Sequence, residues 1–447
     1  MSKRNIVGIV DARGRGATLA RMYERSPHVD GVVVIPGNDM IQAMARKPTE
    51  VDTRIALTDV DAISQKFHEL GVTLASVDQD IALSAGVSDR LREDGIPTIG
   101  PSRAASQIEW SKAEARRLGT HAGIQQPEYA VFRGSEDAAL KYLDTHGDEG
   151  FAIKADGLAE GKGVFVAKTP EEARRAIQEI RQRHPQAART FLVESLATGE
   201  EFSTFFASDG VPEREHIKIL GHAQDHKREG NNDTGENTGG MGCSTPPRLM
   251  TPTLELFVEN EIQKMMKELN KEGKPYEGIG YYGGMFDPAN KVINNIEWNA
   301  RWGDPEVQVV APGITSDMYE LAMAIVNKNL DKYKLTTDSL SRVVVAGASR
   351  GYPRNYDSVK GKQIFGLDEV MEMDGIELYG AGVKVVDGKH FASGGRLFYI
   401  VGEGVDIVAA REKAYGAMAR VFVEGNNLHY RTDIGWRDVK RLRDKGY

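Results

Sequence analysis

Residues 151–167 read Phe-Ala-Ile-Lys-Ala-Asp-Gly-Leu-Ala-Glu-Gly-Lys-Gly-Val-Phe-Val-Ala. A short apolar run ends in Lys154. A tip follows with Gly157, Gly161, Lys162 and Gly163, and a second β-like run leaves from Val164 to Ala167. This is the pattern of two strands joined by a glycine-rich loop that carries positive charge. Glycines let backbone N–H groups approach phosphate oxygens closely, and lysines neutralise their charge. The loop therefore points to a polyphosphate nucleotide held between strands, as in an ATP-dependent enzyme. It is not a Walker A loop: Gly161-Lys162 is followed by Gly163, not Ser or Thr, and a strand follows instead of a helix. Nor is it a dinucleotide fingerprint, which needs a strand-to-helix turn. A glycine-rich surface hairpin would look the same in isolation, so its neighbours must decide.

The chain has 447 residues, room for two to four domains, with 48 glycines for tight turns and ligand-contacting loops. A net charge of −8 gives no sign of a nucleic-acid binder. The single cysteine, Cys243, excludes an intramolecular disulfide and reads as a small packed residue in a reducing compartment. The opening MSKRNIVGIV runs straight into a strand pattern, without the apolar segment of a signal peptide, and no stretch approaches a membrane span. The expectation is a cytoplasmic protein with small-molecule substrates, no nucleic-acid or membrane partner, and a monomeric or homodimeric state.

Outward from the loop, Asn5 to Val10 reads as a buried strand, Asp11 to Gly16 as a turn, Thr18 to Arg25 as a helix and Gly31 to Pro36 as a second strand. That order implies a parallel, doubly wound domain over residues 1–101. Ser102 is placed to cap a helix through about His121, with Gly123 near its end. Thr169-Pro170-Glu171-Glu172 opens another helix, to about Arg183. Phe191 to Glu194 and Phe202 to Ala207 read as strands. Residues 224–242 have almost no apolar content but many acids, donors and glycines, which suits a ligand-organised loop. Residues 254–272 read as a helix with Leu256, Ile262, Met265, Met266 and Leu269 as its apolar positions. The polar stretch Asn329 to Asp338 reads as a boundary. Ser341 to Ala348, Arg396 to Val401 and a helix near Val408 to Phe422 then form a small α+β unit over 331–447. The fold class is thus α/β and α+β multidomain.

Glu297 and Asn299 stand two apart on a strand pattern, so both side chains point to one face. A carboxylate and an amide oxygen there can share a hard cation, and Mg²⁺ often bridges protein carboxylates to nucleotide phosphates. Arg301 falls on the same face, available to phosphate. Ile296 and Trp298 should face a core. Lys112, early in its helix, is a further candidate phosphate contact, though a solvated helix lysine reads the same. Glu194 and Glu201 flank a strand connection suited to an adenosine. The ten histidines show no metal-ligand spacing; His226, within Asp225-His226-Lys227-Arg228, alone has a functional context.

Taken together these blocks are recognisable. The chain resembles the glycinamide ribonucleotide synthetase (phosphoribosylamine–glycine ligase) family of the ATP-grasp superfamily. The matching blocks are Ile99 to Ala105, Ser111-Lys112, Lys154 to Gly163, Gly199-Glu-Glu201, Gln224 to Arg228, Asp233 to Gly242, Glu297 to Glu306, Gly394-Gly-Arg396 and Asp433 to Trp436. The resemblance implies an ATP-grasp domain over 102–330, with a small lid at about 124–195. Lys112 and Lys154 would meet phosphate or adenine. The loop 156–163, with Gly157, Gly161, Lys162 and Gly163, would close over the β- and γ-phosphates. Glu194 to Leu196 would line the adenine slot and Glu201 would hold ribose. Glu297 and Asn299 would bind Mg²⁺, with Mn²⁺ a possible substitute. Arg301 and Asp304, with Asp225, Lys227 and Arg228, would face the acid and the transferring phosphate. The implied chemistry activates glycine as glycyl phosphate and transfers it to 5-phosphoribosylamine.

The first domain departs from the family pattern. Where the family has Gly-Asn-Gly-Gly-Arg-Glu-His, a loop expected to cradle the phosphorylated amine, this chain has Asp11-Ala-Arg-Gly-Arg-Gly-Ala17, so only Gly14 and Arg15 match. The family's Gly-Pro-Glu-Ala-Pro-Leu appears as Asp78 to Leu83, with Asp80 in the acid's place. Either Arg13 or Arg15 could meet a phosphate. Three readings stand at this point: the purine-pathway ligase, an ATP-grasp ligase for another amine, and a nucleotide-binding module without catalysis.

Overall fold

The run after Asn5 forms the middle strand, Ile6–Asp11, of a five-stranded parallel sheet. Its order is Thr49–Val51, Gly31–Pro36, Ile6–Asp11, Leu74–Val77, Thr98–Ile99. The computed structural model describes residues 4–134, 136–146, 150–158, 163–183 and 185–444. The parallel strands are buried on both faces, hence the unbroken Ile-Val-Gly-Ile-Val and Val-Val-Val-Ile runs. The following helix is Gly14–Arg25, four residues longer at its start than the reading from Thr18. The cause is Asp11, whose Oδ1 accepts the Gly16 N–H at 2.9 Å and folds the glycine turn into the first helical turn.

The expected single helix from Ser102 to His121 is two, Gln107–Trp110 and Lys112–Ala122. Ser111 breaks it by capping the second, accepting the Glu114 N–H at 3.2 Å, while Gly123 ends it at φ 65°. Beyond lies a four-stranded antiparallel sheet in the order Tyr129–Arg133, Thr190–Ser195, Phe151–Ala155, Val164–Ala167. Helices Glu136–Thr145 and Pro170–Arg183 cover it. Ala139, Leu143, Ile153, Ala173, Ile177 and Phe191 give this unit an apolar core of its own.

The body is one long sheet in the order Val292–Asn299, Glu277–Asp287, Glu200–Asp209, Ile217–Asp225, Gly242–Thr245, Ser341–Ser349, Arg396–Gly404, Ile376–Gly380. Gly242–Thr245 pairs with Ser341–Ser349, so the sheet continues without interruption from the central region into the C-terminal one. The polar stretch Asn329 to Asp338 does not hang between units: Leu330 is fully buried and Thr337 bridges to Ile314. The helix Pro252–Lys271 packs with Leu254, Val258, Ile262, Met265, Met266 and Leu269. Leu256 lies off that stripe and is 47% exposed, contrary to the sequence reading. Buried residues of the first domain, the body and the C-terminal region, such as Ile9, Trp302 and Tyr399, share one core, which the lid sheet does not join.

Candidate active site

The strand Val292–Asn299 carries the proposed metal pair beside Glu277–Asp287. Its register slips opposite Gly283/Gly284, where Glu297 and Asn295 face successive glycines, leaving Ile296 as an extra residue. Trp298 is buried as expected, but Ile296 is only half-buried, and its carbonyl turns to the cations. It accepts from Lys154 Nζ at 3.0 Å and from Arg116 Nη2 at 2.9 Å.

Three strand ends meet here. Lys227, after Ile217–Asp225, donates to Glu201 and, at 3.2 Å, to Glu297. Tyr281 also donates to Glu297, at 3.0 Å. Surrounding protein disfavours the Glu297 charge, but Lys227 and Lys154 outweigh this and hold its carboxyl at about 2. Desolvation would lower the Lys227 ammonium; Glu201 and Glu297 reverse it and push the lysine well above its usual range. Behind them, desolvation first and then Glu306 drive Asp225 well above the usual carboxylate range. Glu306 is itself raised by burial. Gly240 closes the wall at φ 104°: an added Cβ would lie 2.4 Å from Pro305 Cδ and 2.9 Å from Asp225 Oδ1, so no other residue fits.

Under the lid, Lys154 pairs with Glu194 at 2.7 Å. Arg116 grips the same carboxylate through two bonds, 2.8 and 2.9 Å. Burial would raise Glu194; Arg116 and Lys154 overturn that and take it to about 2. Burial lowers Lys154 despite its partner. Leu196 N–H donates to the Gly150 carbonyl at 2.9 Å. Asp156, at the foot of the glycine loop, accepts from Ser111 Oγ at 3.1 Å and Ala113 N–H at 2.7 Å, which docks the loop's base on the helix that begins at Lys112. Gly157 and Gly163 flank the tip, while Gly161 and Lys162 lie outside the described residues.

The remaining candidates fall in two places. Arg301 turns toward the first domain, bonded to Glu109 at 2.7 Å and to the Trp302 carbonyl at 3.0 Å, rather than standing free on the strand face. Asp304 pairs with Arg396 at 2.9 Å and receives Gln308 at 2.7 Å and Tyr399 at 3.2 Å. Burial would raise Asp304, but Arg396 and Arg15 keep it below the usual carboxylate range. Arg228 leans outward and donates to the Gly235 carbonyl at 2.9 Å. His226 is a packed histidine: its Nε2 accepts the Gly435 N–H at 3.2 Å, and burial holds it neutral at about 3.

Sequence reasoning gives no part to Arg116 or Tyr281, and gives Asp156 and Glu306 none of their own beyond the blocks that contain them. Arg116 sits one turn after Lys112 on the same helix face, the one local signal it offers. The others become visible only when the strands are assembled.

The donor set suits a hard divalent cation. It is all oxygen, and Lys227 and Lys154 hold the Glu297 carboxylate ionised.

Three family models match the chain: phosphoribosylglycinamide synthetase N domain over residues 5–109, ATP-grasp (A) domain over 110–307 and C domain over 342–437. A phosphoribosylamine–glycine ligase of Nostoc sp. is 37% identical over 434 residues, covering 96% of this chain and 98% of that protein. One from Vibrio vulnificus is 34% identical, covering 98% and 99%. The crystal structure of a phosphoribosylamine–glycine ligase from Thermotoga maritima superposes with a TM-score of 0.78 at 24% identity, covering 96% of this chain and 100% of that one. A Campylobacter jejuni biotin carboxylase in complex with a β,γ-ATP ligand shares the fold at a TM-score of 0.73 and 13% identity, over 99% and 97% of the two chains. With the cation-lined cleft beneath a small antiparallel lid, these matches make the fold an ATP-grasp fold, which binds ATP with a divalent metal. The chain belongs to the phosphoribosylglycinamide synthetase family of ATP-dependent carbon–nitrogen ligases.

Proposed function

We propose that this protein joins glycine to 5-phosphoribosylamine at the expense of ATP, giving glycinamide ribonucleotide, ADP and phosphate. The observation that carries this reading is the Lys227 junction, where one ammonium neutralises both Glu201 and Glu297 at the edge of a buried cation pair, Lys154 and Arg116. Such a site holds anions and metal in exchange for its own internal pairs.

Glycine's carboxylate oxygen attacks the γ-phosphorus, the β–γ bridging P–O bond breaks and ADP leaves. The amine nitrogen then attacks the carbonyl carbon of glycyl phosphate, the C–O bond to phosphate breaks, and the nitrogen loses a proton. Two anions must approach, so the chain's task is to cancel their repulsion. Lys154 serves the nucleotide phosphates from below, and Lys112 from the adjoining helix. The loop 156–163 would cover them. The backbone of Glu194 to Leu196 lines the base and Glu201 takes the ribose hydroxyls. Glu297 and Asn299 would hold Mg²⁺, which would supply positive charge to neutralise the phosphates; Mn²⁺ would fit the same oxygen donors. Lys227, released from Glu297, is placed to follow the transferring phosphoryl group. Asp225, Arg228, Arg301 and Asp304 wall the acid side. The acyl phosphate hydrolyses readily, so the lid's second role is to exclude water.

The test is ADP release with Mg²⁺, measured with and without glycine and freshly made phosphoribosylamine. Full turnover is expected only with both. Glu297→Ala should lower it at least about a hundredfold. ADP release indifferent to both substrates, or an active Glu297→Ala, contradicts the reading.

A further inference from the structure

Glu201, the carboxylate assigned to the ribose hydroxyls, stands where the main sheet's ladder runs out. Its strand, Glu200–Asp209, faces Met285 and Phe286 of Glu277–Asp287 on one side. On the other side the pairing with Ile217–Asp225 begins only at Ser203 and Ala223, two residues short of Glu201. Immediately before it, Gly199 leads to the lid. The main chain that presents Glu201 to Lys227 therefore needs support from elsewhere.

Side chains supply it. Gln224, 1% exposed, donates Nε2 to the Glu201 carbonyl at 3.0 Å and to Glu200 Oε2 at 3.3 Å. The amide nitrogen has two hydrogens, so both bonds form together. Glu200 and Glu201 are consecutive on a strand and leave it by opposite faces. Glu201 turns to Lys227, and Glu200 to the C-terminal helix Trp436–Asp444. There Glu200 Oε1 accepts Arg441 Nη2 at 2.5 Å, across 241 residues of sequence. Arg441 Nη1 is held in turn by Asp438 at 2.7 Å. Asp438 is buried and accepts the Arg248 N–H at 3.1 Å through each oxygen, which anchors the helix to the body. Contacts thus run from Asp438 through Arg441, Glu200 and Gln224 to Glu201. The Arg441 and Glu200 side chains are 26% and 28% exposed, so this pair adds little to stability; what it fixes is the direction of Glu200.

We propose that Arg441 is a positioning residue for the nucleotide. Through Glu200 and Gln224 it holds the Glu201 main chain, and with it the carboxylate that takes the ribose hydroxyls. This rests on the ribose role given to Glu201 under the proposed function. The C-terminal helix then sets nucleotide affinity from the opposite face of the strand.

Steady-state kinetics of Arg441→Ala and Arg441→Lys test this, with ATP, 2′-deoxy-ATP and 3′-deoxy-ATP varied at saturating glycine and phosphoribosylamine. Arg443→Ala removes the same charge from the same helix and is the control. Wild type should prefer ATP to at least one deoxynucleotide by roughly tenfold or more in kcat/KM, because Glu201 loses a hydroxyl partner. Arg441→Ala should raise the KM for ATP roughly threefold to thirtyfold and shrink that preference, while kcat and the KM for glycine move less than about twofold. Its melting temperature should stay within about 2 °C of wild type. Arg441→Lys should recover part of the loss, and Arg443→Ala should match wild type. An Arg441→Ala protein with unchanged KM for ATP and an undiminished preference overturns the assignment, as does an equal loss in Arg443→Ala. A wild-type protein indifferent to both ribose hydroxyls overturns the role of Glu201, and this proposal with it.

Discussion

Asp78 shows how a single buried side chain beside the first strand bears on stability. It lies at the end of Leu74–Val77, donor-bonded by Ser76 Oγ at 2.5 Å, with Arg15, Asp11 and Arg301 as its charged neighbours and the Tyr23 hydroxyl facing it. Burial, only partly offset by Ser76 and Arg15, pushes it from 3.8 up to about 6. Below about pH 4 both folded and unfolded chains hold this proton, and its contribution is fully present. Between about 4 and 6 the unfolded chain binds fewer protons than the folded one, so stability falls as pH rises, and above about 6 the contribution is lost. Asp78→Asn removes that loss. In urea unfolding the variant should gain on wild type by about 3 kcal/mol across this interval; parallel curves would contradict the assignment. Legibility at this scale follows chemistry that repeats locally. Glu297 and Asn299 are readable because strand side chains alternate. Arg116 offers only its spacing from Lys112, and its role emerges when Glu194 arrives from another strand. The ion pair of Arg301 is not readable from the sequence, because its partner, Glu109, belongs to a distant helix.

At the scale of elements, the lid reaches the body through Gly199, between Thr190–Ser195 and Glu200–Asp209. Gly199 sits at φ 126°, and an added Cβ would lie 2.2 Å from the Phe286 carbonyl oxygen. Gly199→Ala should therefore destabilise the protein by about 1–3 kcal/mol and raise the KM for ATP, since Glu201 is two residues on. Gly416, exposed in the helix Ile407–Met418 with nothing near a Cβ, is the internal control. Gly416→Ala should leave stability equal or raise it by about 0.5–1 kcal/mol. Equal effects at both positions in thermal melts would refute the crowding argument. Most elements are readable in the sequence because period and caps agree: Thr169, for one, accepts the Glu172 N–H at 3.2 Å at the start of Pro170–Arg183. The failures have causes outside the segment. Ser102 reads as the cap of one long helix, and the break at Ser111 is set by Asp156, which accepts from the Ser111 hydroxyl and the Ala113 N–H. The slip at Ile296 depends on its partner strand's register.

For the whole molecule, the division of packing decides what can move. The first domain is fastened to the body by Gly100 N–H to the Glu277 carbonyl at 3.0 Å. It is fastened to the C-terminal region by Asn38 Nδ2 to the Gly380 carbonyl at 3.1 Å and by Arg25 to Glu377 at 2.8 Å. The lid keeps a separate core and meets the body through polar bonds of Glu194, Lys154 and Asp156. That is the construction a cover needs if it is to open and close over a nucleotide without opening an apolar interface. No helix among the described residues is long and apolar enough to cross a membrane. The central claim is that this assembly activates a carboxylate by phosphoryl transfer before the amine arrives. Turnover of glycine labelled with ¹⁸O in its carboxylate, with ATP and phosphoribosylamine, tests it most directly through the mass of the released phosphate. The account predicts one ¹⁸O carried from glycine into each phosphate; phosphate released without label would contradict it.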